Sequence, residues 1–254
     1  MEGLPIDVRL RILGNVLKHQ QNDLKNQGSS LKDSSQRSKS REKDAEQKSE
    51  GSANERAVCV VMSKDRAFQL QECLRSLIIF SSTTTEKGKP QGFHSIYVLC
   101  HVRERFKKSY ERVRDRFPSV KFLYDTKPGD FSTNLLSLVQ RHSNDLICFV
   151  VDDMVFFREF SVEEIVESLR NPKVLGYQLG LHPNVKYCHP RDAKSIPPTN
   201  MEKCGKESVC FRRILGTGDW NYPWNLCGGT YRGKHVILIL NSISGTDNTK
   251  KAFE

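Results

Sequence analysis

Along residues 57–181, short apolar runs alternate with stretches whose apolar positions recur at helical spacing. The runs at 58–62, 96–100, 120–124 and 146–151 are compact and rich in Val, Ile, Phe and Cys, which predicts strands buried on both faces. Between them, Leu70, Cys73, Leu74 and Leu77 share one helical face. Val102, Phe106, Tyr110 and Val113 share another, and Leu135, Leu138 and Val139 line the inner side of a helix over 131–141. Strand and helix in strict alternation predict an α/β domain with a mostly parallel central sheet flanked by helices.

The second half is less regular. Val162, Ile165, Val166 and Leu169 form a helix face. Ser161 stands at its N-cap with Glu164 three residues on, the spacing of a capping box, and Asn171-Pro172 stops it. Residues 175–181 read as a strand, and His182-Pro183-Asn184 turns it. Residues 190–210, rich in Pro, Lys and Asn, predict a long mobile loop, and 216–229 a glycine-rich loop holding Trp220, Tyr222 and Trp224. Residues 235–240 are the last apolar segment, with His235 at the start of a strand or helix.

The N-terminus differs in kind. Leu4, Val8, Ile12 and Val16 recur at helical spacing, which predicts a short amphipathic helix over 1–18. Residues 19–56 are nearly all Gln, Lys, Ser, Asp, Glu and Asn, too polar to offset ordering entropy, and read as a disordered linker. The folded domain then covers 57–254. Net charge is +10; residues 1–56 hold eleven Lys/Arg against nine Asp/Glu, so +8 belongs to the folded part. A basic surface suits nucleic acid, an anionic membrane or a phosphorylated small ligand. The basic face at 103–116 reads most simply as solvated, because no aromatic stacking platform is interleaved on it.

Eight cysteines are scattered without a Cys-x-x-Cys pair, which argues against a zinc site. Cys59, Cys100 and Cys148 sit inside apolar runs and read as buried hydrophobes. Reduced thiols and a cytosolic setting are the expectation. The alternative is an oxidising compartment, in which Cys204 and Cys210 pair. No stretch reaches the roughly 20 apolar residues of a bilayer span, and no secretory signal is visible; a secretory-pathway setting stays open.

The chemistry concentrates at 146–154, where six apolar residues run into Asp152-Asp153. Two adjacent carboxylates are too costly to bury unpaired and must meet water, a cation or a ligand. In an open α/β sheet the carboxyl ends of the strands are where ligands collect. Divalent cations favour carboxylate oxygens and can in turn grip a diphosphate. The plainer reading is a polar strand end whose aspartates cap a turn. Ser63-Lys64-Asp65-Arg66 follows the first strand in the equivalent place, with turn chemistry and helix capping as its plainer reading.

The first strand, Ser63-Lys64-Asp65-Arg66 and the helix after it resemble the opening of the GT-A-fold nucleotide-sugar glycosyltransferases. Phe131-Ser132-Thr133-Asn134-Leu135 through Met154 resembles that fold's helix leading into its acidic metal motif, and 176–181 and 220–232 resemble its later strand and aromatic loop. The likeness runs over 57–240 as motifs in order. It implies a Rossmann-like GT-A fold and transfer of a sugar from a nucleotide-diphosphate donor to an acceptor. By the same resemblance Ser63, Asp65, Arg66 and Asp152 hold the nucleotide, and Asp153 with Asp152 holds manganese or magnesium. Asp219 in the aromatic loop is the candidate base. The family's motif has two carboxylates separated by one residue; here Met154 fills the third position. The domain is also short for the family, which implies a shortened or degenerate member. The loop aromatics either stack on a sugar ring or plug the sheet edge. Three functions follow in order of rank: a metal-dependent glycosyltransferase, a catalytically degenerate binding or scaffold protein, and a basic nucleic-acid binder.

Overall fold

The computed structural model describes residues 56–81, 83–84, 90–222 and 224–244. The helix expected over 1–18 and all but the last residue of the polar stretch 19–56 lie outside them. The chain divides into two units, one spanning 55–237 and the other taking in 1–54 and 238–253. Of the second unit only 238–244 are described, as the closing turns of a helix.

Six strands form the main sheet: β1 (Ala57–Lys64), β2 (Ser95–His101), β3 (Lys121–Asp125), β4 (Leu146–Val151), β5 (Gly176–Gln178) and β6 (Gly229–Arg232). Their spatial order is β3-β2-β1-β4-β6-β5. The first four are parallel, with Val60 opposite both Tyr97 and Phe149 and Leu99 opposite Leu123. Strand β6 runs antiparallel to its neighbours, with Tyr231 opposite Ile147 and Thr230 opposite Tyr177. The helices are α1 (Ala67–Ser81), α2 (Lys107–Arg116), α3 (Asp130–Arg141), α4 (Val162–Arg170) and α5 (Gly233–Ser244). The expected α/β architecture, a mostly parallel sheet flanked by helices, is the observed one.

The alternation of side chains explains the layers. Cys59, Val61, Val98, Cys100, Cys148 and Val150 pack in one buried cluster with Leu70, Cys73, Leu74 and Leu77 of α1 and Tyr110 and Val113 of α2. The alternate set, Val58, Val60, Leu99, Ile147 and Phe149, is buried as well. Helix α3 lies along β2 and β3 with Leu135, Leu138 and Val139 buried. Each such aliphatic side chain is worth about 1.5–3 kcal/mol when fully buried.

The chain runs from β1 outward through β2 to β3, then returns to place β4 on the other side of β1. Open α/β sheets bind ligands at such a reversal, outside the carboxyl ends of the strands, here those of β1 and β4. Met62 lies opposite Val151 in parallel register, and the Asp152 amide donates to the Met62 carbonyl at 3.1 Å. The turn after β1 and the acidic pair after β4 are therefore brought side by side.

Beyond β5 the structure departs from the expected loops. The stretch 187–210 carries two short antiparallel ladders, Tyr187–Cys188 with Ala193–Lys194 and Glu202–Lys203 with Val209–Cys210. Cys204 and Cys210 close the second as a disulfide, so the expectation of reduced thiols fails for this pair; the other six cysteines are free. Order here comes from cross-links that no periodicity announces. Ser161 does cap α4, its hydroxyl accepting from the Glu164 amide at 3.1 Å. The Glu164 carboxylate, however, turns to the disulfide loop, where it accepts from the Glu207 amide at 3.0 Å and from the Ser208 hydroxyl. Strand β6 falls where a loop was expected, because Gly229-Thr230-Tyr231-Arg232 contains no apolar run. His235 lies in the first turn of α5. Among the described residues no helix is long and apolar enough to cross a membrane.

Candidate functional site at the β1–β4 crevice

Ser63, the penultimate residue of β1, is buried, and its hydroxyl donates to Asp152 Oδ2 at 2.8 Å. Its single hydrogen is thereby used. The Tyr110 hydroxyl, 2.6 Å away, must be the donor to Ser63 Oγ, and it accepts in turn from the Arg66 amide at 3.0 Å. The Lys64 amide adds a 3.3 Å contact to Asp152 Oδ2. Asp152 is 4% exposed, so these partners offset the cost of burying its carboxylate.

Arg66 supplies the countercharge. Its Nη1 lies 3.4 Å from Asp152 Oδ1 and 2.9 Å from Asp153 Oδ2. The Arg66 and Asp153 side chains are 52% and 57% exposed, against 6% for Asp152. Asp152 is thus an anchored carboxylate and Asp153 an open one. The negative field of the pair reaches its neighbours. Burial first, then the charges of Asp152 and Asp153, push the Cys73 thiol up to about 12. Partial burial and then the Asp153 charge also push up the thiol of Cys227, a surface residue.

Asp65 sits beside this group in a left-handed conformation, φ 57°, a region that non-glycine residues rarely occupy. Its amide donates to the His101 carbonyl at 3.2 Å. Its carboxylate accepts from the Arg103 amide at 2.9 Å and forms an ion pair with the Arg103 guanidinium. Burial raises the Asp65 carboxyl, but the Arg103 amide and guanidinium outweigh it and hold the group below its ordinary value. Asp65 therefore ties the β1 turn to the segment after β2.

The structure brings Ser63, Arg66, Asp152 and Asp153 into one hydrogen-bonded group, with Asp65 adjacent through the backbone. Asp219 has other partners: its carboxylate accepts from the Cys188 thiol at 3.3 Å and its amide donates to Ser195 Oγ at 3.2 Å. Trp220 is 1% exposed and donates to the Val185 carbonyl at 2.9 Å, and Trp224 stacks on Tyr231 with ring centroids 3.9 Å apart. Trp220 is buried against Phe211 and so offers no open face for stacking on a sugar ring.

Four further residues shape the site without having been singled out from sequence. Tyr110 reads as one more apolar position of α2, and only its hydroxyl hints at a second role. Arg103 was lost among the basic residues around it. Cys227 and Gly228 lay in a glycine-rich loop. Gly228, at φ 79°, donates to the Phe149 carbonyl at 2.8 Å. A Cβ there would stand 3.1 Å from Leu179 and 3.3 Å from the Met154 methyl, so glycine lets this loop cross the end of β4 closely.

Among the described residues no group of three or more His, Cys, Asp or Glu gathers as a metal centre. The two carboxylate oxygens nonetheless converge on one point, marked by Arg66 Nη1. A hard divalent cation can settle for one or two carboxylates when water and substrate phosphates complete its shell, so the donor set suits a substrate-bridged ion.

No family model matches the chain. In an alignment 199 positions long that takes in 74% of this chain, it is 33% identical to the bifunctional glycosyltransferase pgtA of Dictyostelium discoideum, and it spans 25% of that protein. Among solved structures it is similar to a mannosyltransferase from Pyrobaculum calidifontis in complex with GDP-Man and Mn2+, at TM-score 0.34 and 11% identity over 50% of this chain and 36% of that one. It is also similar to 4-diphosphocytidyl-2C-methyl-D-erythritol synthase from Anaerococcus prevotii, at TM-score 0.39 and 10% identity over 78% and 86% of the two chains.

Proposed function

We propose that the chain is a glycosyltransferase that moves a sugar from a nucleotide-diphosphate donor to an acceptor hydroxyl, with its donor site in the β1–β4 crevice. The carrying observation is the convergence of Asp152 and Asp153 on one cation position beside the β1 turn. The 33% identity to part of a bifunctional glycosyltransferase supports the same class.

In this reading Ser63 and the Lys64 amide fix Asp152, and Asp153 with Asp152 would hold manganese or magnesium. The chemistry such an ion would supply there is positive charge against the diphosphate leaving group. The Asp65–Arg103 pair shapes the nucleoside end of the crevice. The bond from the anomeric carbon to the diphosphate oxygen breaks, a bond to the acceptor oxygen forms, and a base takes the acceptor proton. Asp219 is the candidate base.

The test is thermal melting of the full chain with a panel of nucleotide sugars, with and without Mn2+. At roughly a hundredfold excess of ligand over Kd the matching donor contributes about 2.7 kcal/mol, or about 5–10 °C, with Mn2+ present. Asp153→Asn removes that rise. A panel without effect on melting points instead to the binding or scaffold protein, a reading favoured by the Arg66 guanidinium already closed on Asp153.

A further inference from the structure

We propose that Arg66 is a displaceable counter-ion. It rests on Asp152 and Asp153 while the crevice is empty and passes to the diphosphate when a metal–nucleotide complex enters. The proposal rests on the donor-site reading.

Three observations carry it. One nitrogen serves both carboxylates, at 3.4 and 2.9 Å, so the point on which they converge is occupied by a cation that the chain itself supplies. The Arg66 backbone is pinned, since its amide donates to Tyr110 at 3.0 Å and its carbonyl accepts from the Leu70 amide at 2.9 Å. Its side chain is 52% exposed and pairs with a carboxylate that is 57% exposed. Such a pair is worth little and exchanges readily. Third, Asp152 is held by Ser63 and the Lys64 amide independently of Arg66, so a carboxylate stays in place when the guanidinium leaves.

Two neighbouring carboxylates repel each other, and the guanidinium offsets that repulsion in the empty crevice. A divalent ion arriving alone has to expel a resident positive charge that then finds no new partner. An ion arriving with a diphosphate offers the expelled guanidinium phosphate oxygens, which its planar fork fits well. Metal and nucleotide affinities are coupled through this side chain, each raising the other.

Calorimetric titration of the full chain tests this with Mn2+ alone, and with UDP, GDP, ADP and CDP in the presence and absence of Mn2+. Arg66→Gln binds Mn2+ alone about two- to fivefold more tightly than wild type. It binds the preferred diphosphate with Mn2+ more weakly, and the coupling between the two ligands shrinks. Arg66→Lys, which keeps the charge, restores the weak Mn2+ binding. Asp153→Asn abolishes Mn2+ binding whether residue 66 is Arg or Gln, which places the ion at this pair. Melting temperatures of the variants confirm that each is folded. An Arg66→Gln affinity for Mn2+ equal to or below wild type, with diphosphate binding intact, overturns the counter-ion role and leaves the donor-site reading standing. Failure of every diphosphate to bind wild type in the presence of Mn2+ defeats the donor-site reading and this proposal with it.

Discussion

Tyr110 shows how much a single hydroxyl can organise. It donates to Ser63 Oγ at 2.6 Å and accepts from the Arg66 amide at 3.0 Å, so it ties α2 to both ends of the β1 turn. Tyr110→Phe keeps the buried ring and strips both bonds, leaving an amide without its acceptor. The expected cost is about 1–3 kcal/mol, read as a lower denaturation midpoint at unchanged slope. Because the Tyr110 hydroxyl donates to Ser63 Oγ, Tyr110→Phe and Ser63→Ala are coupled, and a double-mutant cycle that returned simple additivity would contradict the chain of bonds. Asp65 makes a pH prediction. Its folded carboxyl lies below the ordinary value, because Arg103 outweighs burial. The sign is that of a depressed acid: its contribution is complete above the unfolded value, about 3.9, and is lost as pH falls through the lower folded one. Asp65→Asn should therefore flatten the acid limb of the stability curve below about pH 4, and an unaltered limb rules the contribution out. Ser63, Asp65, Arg66 and Asp152 were legible in sequence because each ends or follows an apolar run. Tyr110 was not, because a tyrosine on a helical face is indistinguishable from core until its hydroxyl partner is known.

At the scale of elements, the same contrast separates β1 and β4 from β6. Strands β1 and β4 are buried on both faces and declare themselves as unbroken apolar runs. Strand β6 is equally buried, yet it achieves this with Thr230 and Arg232, at 0% and 8% exposure. The Arg232 side chain is tolerated because it serves as the cap of another element. Its guanidinium donates to the carbonyls of Leu169, Asn171 and Val174, the C-terminal turn of α4 and the segment after it. The Leu169 carbonyl lies in the last turn of α4, where carbonyls lack an intrahelical partner, and cationic donors near a helix C-terminus are favoured by its dipole. Arg232→Met removes the donors and leaves the Leu169 carbonyl at the end of α4 without one, so it should destabilise by about 1–3 kcal/mol. Arg232→Lys should recover only part of this, since one ammonium cannot reproduce a planar fork. If hydrogen exchange at the end of α4 is no faster in Arg232→Met than in wild type, the capping role is disproved. The departure from a capping box has the same origin. Glu164 is spent on the Glu207 amide and the Ser208 hydroxyl, and sequence spacing cannot register a competing partner some forty residues away.

For the molecule as a whole, topology sets which groups share an environment, and cysteine reactivity reports on it. Five of the six free cysteines, Cys59, Cys73, Cys100, Cys148 and Cys188, are buried, and Cys227 alone of the six is exposed. Burial, and then nearby carboxylates, push the Cys73 and Cys100 thiols up to about 12. The reactive thiolate is therefore scarce in both at neutral pH, and the folded protein should alkylate faster at the exposed Cys227 than at the five buried thiols, while denaturant exposes all six. Cys227 is also raised, by burial and then by Asp153, which is how a residue in the loop before β6 senses the end of β4. The direction is determined by charge: a thiolate beside a carboxylate is disfavoured, so labelling of Cys227 should speed up as pH rises, and Asp153→Asn should shift that rise to lower pH. Under the proposed function, a cation at the acidic pair would act in the same direction as Asp153→Asn by screening the carboxylate, whereas a nucleotide beside it would slow labelling by cover. Mass-spectrometric rates at Cys227, measured against pH in wild type and Asp153→Asn, separate these effects. Identical pH profiles for the two proteins would show that Cys227 and Asp153 do not share the field that the strand order implies, and the crevice would then have to be drawn without the loop before β6.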